Sequence, residues 1–297
     1  MSSPPSGVLL VDKPEGPTSH DIVQVVRRRL RTREVGHTGT LDPMATGLLV
    51  LCIGSATRLV PYLTEQGKAY SGVLRLGVTT TTEDRCGEVV LVRDGTTVSD
   101  SMLDEAIAGL IGPQQQRPPA YSAIKVGGVR SHALARAGVE VEHALREVEI
   151  VSFDRTSRDG PLVGFTVRVS KGTYVRSLAR DLGERLGCGA HLTALRRLSV
   201  GAFDVEGAPQ PDEVVRPEVE GARGWLTPAQ ALEGWPTYLV TGDELRRILQ
   251  GQSLEAGFEF DEERPVRVLD DAGVLRAVAT WHPGSRRLRP NRVFATG

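Results

Sequence analysis

The sequence predicts an α+β fold: a large domain over residues 1–234 built on a mixed, mainly antiparallel sheet, and a small β-rich module over 235–297. Three observations carry that reading. Short apolar or alternating runs suited to strands recur along the whole chain, and only a few segments keep the apolar spacing of a helix. Residues 204–220, DVEGAPQPDEVVRPEVE, set six acids against one arginine among prolines and a glycine, which is the composition of a linker. From residue 236 the pattern changes to one short helix followed by closely spaced strand signals. At 297 residues the chain also exceeds one average domain of roughly 100–200 residues.

The elements follow in order. GVLLVDKP (7–14) reads as a buried strand stopped by Pro14. TSHDIVQVVRRRL opens with Thr18 and Ser19 as cap candidates and repeats Ile22, Val25, Val26 and Leu30 at helical spacing. GHTGTLDPMATGLL (36–49) is a loop that feeds a central strand, GLLVLCIG, and AYSGVLRLGV (69–78) alternates as another strand. SDSMLDEAIAGLIGP (99–113) predicts a helix with Asp100 near its cap and Gly112 and Pro113 at its end. Residues 114–146 mix Gly/Pro breaks, basic residues and a short helical patch, SHALARAG, as an excursion carrying functional surface. VEIVSFDRTS and LVGFTVRVSKGTYV are strands, and a helix with Val175, Leu178, Leu182 and Leu186 on one face ends at Gly187. LTPAQAL is a Thr-Pro helix start; the module then holds the helix GDELRRILQG, strands RPVRVLD and VLRAVATWH joined through DDAG, and a strand RVFAT.

Composition narrows the function. The hydrophobic share of 40 %, the charged share of 25 % and the net charge of −1 are those of an ordinary globular protein. MSSPPSG has no basic region before an apolar core, so it is no secretory signal, and GLLVLCIG is far short of the ~20 residues a membrane span needs. Cys52, Cys86 and Cys188 are odd in number and widely spaced. That argues against disulfides or structural zinc, fits a reducing cytoplasm, and reads all three as buried small hydrophobes. No phosphate-binding glycine motif occurs, and the six histidines are scattered, so a phosphate-cradling loop is a weak reading and a metal site a weaker one.

Asp42 stands alone in its loop. Pro43 biases it to an extended backbone, the surrounding glycines permit tight turns, and Thr38, Thr40 and Thr46 offer hydroxyls. Taken by itself such an aspartate bonds its own turn. Three basic patches point elsewhere: RRRLRTR (27–33), RRLRPNR (286–292), and residues 168–198, where seven Lys and Arg face two acids. With Tyr70, Tyr121 and Tyr174 they suit a polyanion groove with stacking positions. Lys171 to Arg176 lies at a strand-to-helix junction, where a helix N-terminus favours anions.

GHTGTLDPMATGLL, KAYSGVLRLGVTTTTEDRCGEV, RPPAYSAIKVGG and SKGTYVRSLARDLGERLGCGAHLTALRRL, preceded by VDKPEGPTSHDIV and followed by PNRVF, together resemble the tRNA pseudouridine synthase B family over nearly the whole chain. The resemblance implies a pseudouridine synthase catalytic domain with a thumb-like insertion at about 114–146 and a PUA-type RNA-binding module. It implies isomerisation of the T-loop uridine (uridine-55) of tRNA by base flipping, without cofactor or metal. Asp42 would be the catalytic group, either as nucleophile at C1′ or as base at C2′. Tyr70 would stack on the target base, Tyr174 would lie near it, Leu195 would wall the pocket, Arg176 would pair with Asp42, and His37 would pack where the extruded base had stacked. Lys125, Arg130, Lys171, Arg180, Arg196 and Arg197 are the candidates for the RNA backbone. His132 stands where many relatives carry a tyrosine. The expected partner is the T arm of tRNA, with no membrane, no obligate protein partner and a monomeric chain. The competing readings are a guide-RNA-dependent synthase and an RNA chaperone with secondary catalysis.

Overall fold

A computed structural model describes residues 5–294 apart from 123, 127, 132–138, 140–142, 256–259 and 261–263. His132 and the side chains of Lys125 and Arg130 lie outside the described part, as does most of SHALARAG. In chain order the elements are β1 (Gly7–Lys13), α1 (Ser19–Leu30), β2 (Val35–His37), β3 (Thr46–Ile53), a 3₁₀ helix (Gly54–Leu59) running into α2 (Val60–Thr64), β4 (Lys68–Leu76), β5 (Val78–Thr80), β6 (Val89–Val92), α3 (Asp100–Ala108) and β7 (Gly112–Gln116). Next come β8 (Lys125–Val126), β9 (Val129–Arg130), β10 (Arg146–Asp159), β11 (Leu162–Val169), α4 (Val175–Arg185), β12 (Ala190–Val200), β13 (Phe203–Asp204) and β14 (Trp225–Leu226). A 3₁₀ turn (Gln230–Leu232) leads to β15 (Thr237–Leu239), α5 (Gly242–Leu249), β16 (Leu254–Glu255), β17 (Pro265–Leu269), β18 (Leu275–His282) and β19 (Arg287–Val293).

Ten strands form one sheet along the path β14-β1-β3-β12-β4-β11-β10-β7, with β2 beside β3 and β13 beside β12. Among its described pairings only β12 with β3 is parallel. A second sheet has the order β15-β17-β18-β19-β16, again with one parallel pair, β15–β17.

The unbroken apolar run of β3 follows from burial on both faces. Leu49, Leu51 and Ile53 pack against Ile22, Val23, Val26 and Leu30 of α1. Leu48, Val50 and Cys52 face the other way, into a cluster with Leu59, Leu232, Leu275, Val278 and Phe294. The second sheet is therefore cemented to the first through one shared core, and it keeps its own core around Val268, Ala277 and Trp281. Thr18 starts α1 with a capping box: its side chain accepts from the Asp21 amide while Asp21 accepts from the Thr18 amide.

Several elements differ from the sequence reading. The strand β12 lies at the middle of the large sheet, yet AHLTALRRLSV hides its period of two. Register shifts at Leu192/Ala194 and Arg197/Ser199 break the alternation, and Arg197 points inward. The helix expected over 99–113 ends at Ala108, because Gly109 takes the C-cap and Gly112 already begins β7. LTPAQAL yields a single 3₁₀ turn, and the last strand is Arg287–Val293, earlier than RVFAT. Cys86 is exposed, unlike Cys52 and Cys188, because it lies in the loop between β5 and β6. Among the described residues no helix is long and apolar enough to cross a membrane.

Candidate active site

The loop between β2 and β3 is held from every side. Its apolar residues Leu41, Met44 and Ala45 turn inward and are buried, so the turn at Asp42 projects away from them. Ser19, at the start of α1, bridges the loop: its hydroxyl accepts from the Leu41 amide at 2.8 Å and donates to the Leu41 carbonyl at 3.1 Å. The Pro43 carbonyl accepts from the Gly16 amide at 2.9 Å and from Lys13 Nζ at 3.3 Å. Gly47, with φ +100°, marks a close approach; a Cβ there would lie 2.2 Å from the Arg197 carbonyl, so only glycine lets β12 run alongside.

Arg197 is a correction to the RNA-backbone assignment. It is 1 % exposed, and its guanidinium donates to the carbonyls of Leu48 at 2.6 Å, Gly39 at 3.1 Å and Thr40 at 3.5 Å. Its charge is spent inside the protein, bracing the loop, and no phosphate reaches it. Arg197→Leu is expected to cost roughly 2–4 kcal/mol of stability in denaturant titration, because it strands buried carbonyls.

Asp42 presents a carboxylate whose side chain is 35 % exposed, and its partner comes from the first turn of α4. Arg176, buried, places Nε 2.9 Å from Asp42 Oδ2 and donates from Nη2 to Oδ1 at 3.1 Å. The Nε–H is aligned on neither oxygen, so that contact is electrostatic rather than a second hydrogen bond. The guanidinium also donates to the carbonyls of Thr82 at 3.0 Å and Tyr121 at 2.9 Å, and Asp84 Oδ2 lies 3.8 Å from Nε. Asp84 is itself buried and accepts from Thr82 Oγ1 at 2.6 Å and from the Cys86 amide at 2.9 Å. One fixed cation thus serves two carboxylates, with its geometry set by two backbone carbonyls.

Tyr70 and Leu195 are both buried in the cluster that also holds Leu41 and Met44, so an apolar floor backs the Asp42 turn. Tyr174 immediately precedes α4; its backbone is gripped by the Gln116 side chain, and the Arg146 guanidinium stands 5.7 Å from its ring centre. His37 is half-buried at the end of β2, and burial, aided by Arg197 and His20, lowers its pKa, favouring the neutral ring. The remaining cations of the 168–198 patch are largely paired with acids. Lys171 meets Glu65, Arg196 meets Asp12 at 2.7 Å, and Arg180 meets Glu83 and Asp181 at 2.5 and 2.7 Å.

Lys13, Asp84 and Thr82 were not singled out from the sequence. Lys13 offered a signal: it ends the strand GVLLVDK, which apart from Asp12 and Lys13 carries no polar side chain. It is fully buried, and desolvation lowers its pKa from 10.5 to about 8 although Asp42 pulls the other way. Between those values the unfolded chain binds the extra proton, so stability rises with pH across that window. Thermal melts should therefore show the wild type gaining on Lys13→Met as pH rises from about 8 to 10. Among the described residues no three His, Cys, Asp or Glu side chains converge as a metal site.

The description "TruB family pseudouridylate synthase (N terminal domain)" matches residues 27–175, and "tRNA pseudouridylate synthase B C-terminal domain" matches 176–216. The chain is 41 % identical to the tRNA pseudouridine synthase B of Geobacter sulfurreducens, over 97 % of this chain and 99 % of that protein. It is 44 % identical to the protein of the same name from Cupriavidus metallidurans, over 97 % and 93 %. Among solved structures, a chain of the "Cbf5-Nop10-Gar1 Complex" superposes with TM-score 0.69 at 26 % identity, covering 92 % of this chain and 78 % of that one. A chain of an "H/ACA RNP bound to a substrate RNA containing 2'-deoxyuridine" gives TM-score 0.72 at 23 % identity, covering 98 % and 85 %, a likeness of fold.

Proposed function

The chain belongs to the TruB family of pseudouridylate synthases, and from that premise we infer that it converts the T-loop uridine of tRNA, uridine-55, to pseudouridine. The observation that carries the site assignment is Asp42: a single carboxylate on a braced loop, over an apolar floor, against a buried arginine. The reaction breaks the C1′–N1 bond, turns the uracil and joins C5 to C1′; N1 gains a proton and C5 loses one. One carboxylate is enough for either route, by attack at C1′ with later release, or by removal and return of the C2′ proton. Atoms balance within the nucleotide, so no redox partner is required.

Each neighbour has a task in that scheme. Leu195 and Tyr70 offer nonpolar surface to a uracil that must turn while detached. Leu41 and Met44 behind them keep water from the activated sugar. Tyr174, two residues before Arg176, would lie near the reacting base, and His37, five before Asp42, would pack where the extruded base had stacked, against a loss of stacking worth a few kcal/mol. Phosphate contacts offset that cost. Because Lys171, Arg180 and Arg196 already hold carboxylates, each phosphate they take displaces an acid. Hairpin binding should weaken markedly between about 50 and 200 mM salt, and a flat salt dependence would remove the phosphate contacts from the account.

We assign residues 235–297 as a PUA-type RNA-binding module on a cytoplasmic, monomeric enzyme that needs no guide RNA or protein partner. The named relatives, similar end to end, favour this over a guide-dependent synthase. A tRNA-folding chaperone activity, separable from turnover, belongs to the same proposal. The test uses a T-arm hairpin carrying tritium at the uridine C5. Purified protein in chelator should release the label to water in step with pseudouridine formation; no release from an intact, bound hairpin would contradict the assignment.

A further inference from the structure

Glu83 lies in the β5–β6 loop with a backbone that few residues adopt: φ is +61°. Among the described residues, the other two non-glycine residues with positive φ, Arg31 and Arg286, merely close helical turns. A strained residue persists where its surroundings over-determine it, and such residues gather at functional sites. The surroundings of Glu83 do so from two sides. Its carbonyl accepts from the Leu192 amide at 3.0 Å, and the Leu192 carbonyl accepts from the Arg85 amide at 2.9 Å, so the loop is laced to the central strand β12. Its side chain turns the other way, to α4, and is 15 % exposed. Oε2 accepts from Ser177 Oγ at 2.9 Å and Oε1 from Arg180 Nη1 at 2.5 Å.

Three consecutive residues thus clasp the start of α4. Thr82 offers its carbonyl to Arg176, Glu83 holds Ser177 and Arg180, and Asp84 stands beside Arg176 again. Tyr174 provides no side-chain cap, so the first turn is fixed from outside, by Gln116 on the Tyr174 backbone and by this clasp. Ser177 is the next residue after Arg176, so a displacement of this first turn moves the backbone from which the guanidinium reaches Asp42.

We propose that Glu83 is a positioning residue for the isomerisation: it ties α4 to the central sheet and so sets where Arg176 meets Asp42. The inference rests on the function proposed above and deepens it. Glu83 touches no reacting atom. The αL backbone gives the carboxylate its aim, since in an extended conformation the side chain would leave α4. Arg180 is shared with Asp181, so loss of the charge at 83 leaves Arg180 to its other partner, and loss of the side chain also frees Ser177.

The experiment compares wild type, Glu83→Gln and Glu83→Gly on the T-arm hairpin, measuring Kd and the single-turnover rate at saturation. Glu83→Gln keeps the shape and loses the charge; Glu83→Gly relaxes the backbone and guards against a variant that fails to fold. Both should turn over about tenfold more slowly with Kd within about twofold of wild type, since small misplacements of catalytic groups cost rate before affinity. Adding Ser177→Ala to Glu83→Gly should slow the reaction little further, because the glycine has already removed the contact through which the two residues act. Wild-type rates in both variants, or rate and affinity falling together, would overturn the proposal while leaving the parent reading in place. A wild type that bound the hairpin without turnover would overturn both.

Discussion

Asp42→Asn should bind the T-arm hairpin with unchanged affinity and form no measurable pseudouridine, a loss of roughly 10³-fold or more in single-turnover rate. The substitution is nearly isosteric, and the loop around it is fixed by contacts that Asp42 does not make. Ser19 holds Leu41, Gly16 and Lys13 hold Pro43, and Arg197 holds Gly39 and Leu48. The binding surface therefore survives. The amide lacks both capacities the chemistry draws on: it is a poor nucleophile toward C1′ and does not accept a proton from C2′. Quench-flow on hairpin in excess enzyme, with Kd from titration of the same RNA, checks both halves; turnover near the wild-type rate would remove Asp42 from the chemistry.

The second large effect is expected at Arg176. A lysine there keeps the charge but not the planar fork, and it cannot serve Asp42, Asp84 and the carbonyls of Thr82 and Tyr121 at once. Arg176→Lys should slow the single-turnover step about 10²-fold with little change in hairpin affinity, as the Asp42 carboxylate loses its fixed orientation. Arg176→Ala goes further. It leaves Asp84, with a side chain 7 % exposed, beside an empty site, and the cost of an uncompensated buried charge is about 3–5 kcal/mol. That variant should show a lower denaturation midpoint as well as a slower reaction. An unchanged rate in Arg176→Lys would mean that the arginine is structural only.

Local signals of the sequence carried far in some places and failed in others for physical reasons. Thr18 and the apolar spacing behind it marked α1 because capping and amphipathicity act within one turn. GLLVLCIG marked β3 because a strand covered on both faces must be apolar throughout. AHLTALRRLSV concealed β12, since its bulges and its inward arginine answer to neighbours, not to its own period. Cation count misled at Arg197, whose burial depends on three carbonyls of the β2–β3 loop and the start of β3. Asp42 and Arg176 are 134 positions apart, and no spacing rule joins them; the family resemblance alone paired them. Asp84 and Glu83 escaped because nothing in TTTTED says that the loop folds back onto a helix ninety residues on.

The most direct measurement maps pseudouridine at nucleotide resolution in unmodified tRNA incubated with purified wild type and with Asp42→Asn, each shown to bind. Full conversion is expected at uridine-55 of the T loop with the wild type and none anywhere with the variant. Conversion of that uridine by Asp42→Asn, or no conversion there by the wild type, would contradict the proposed function.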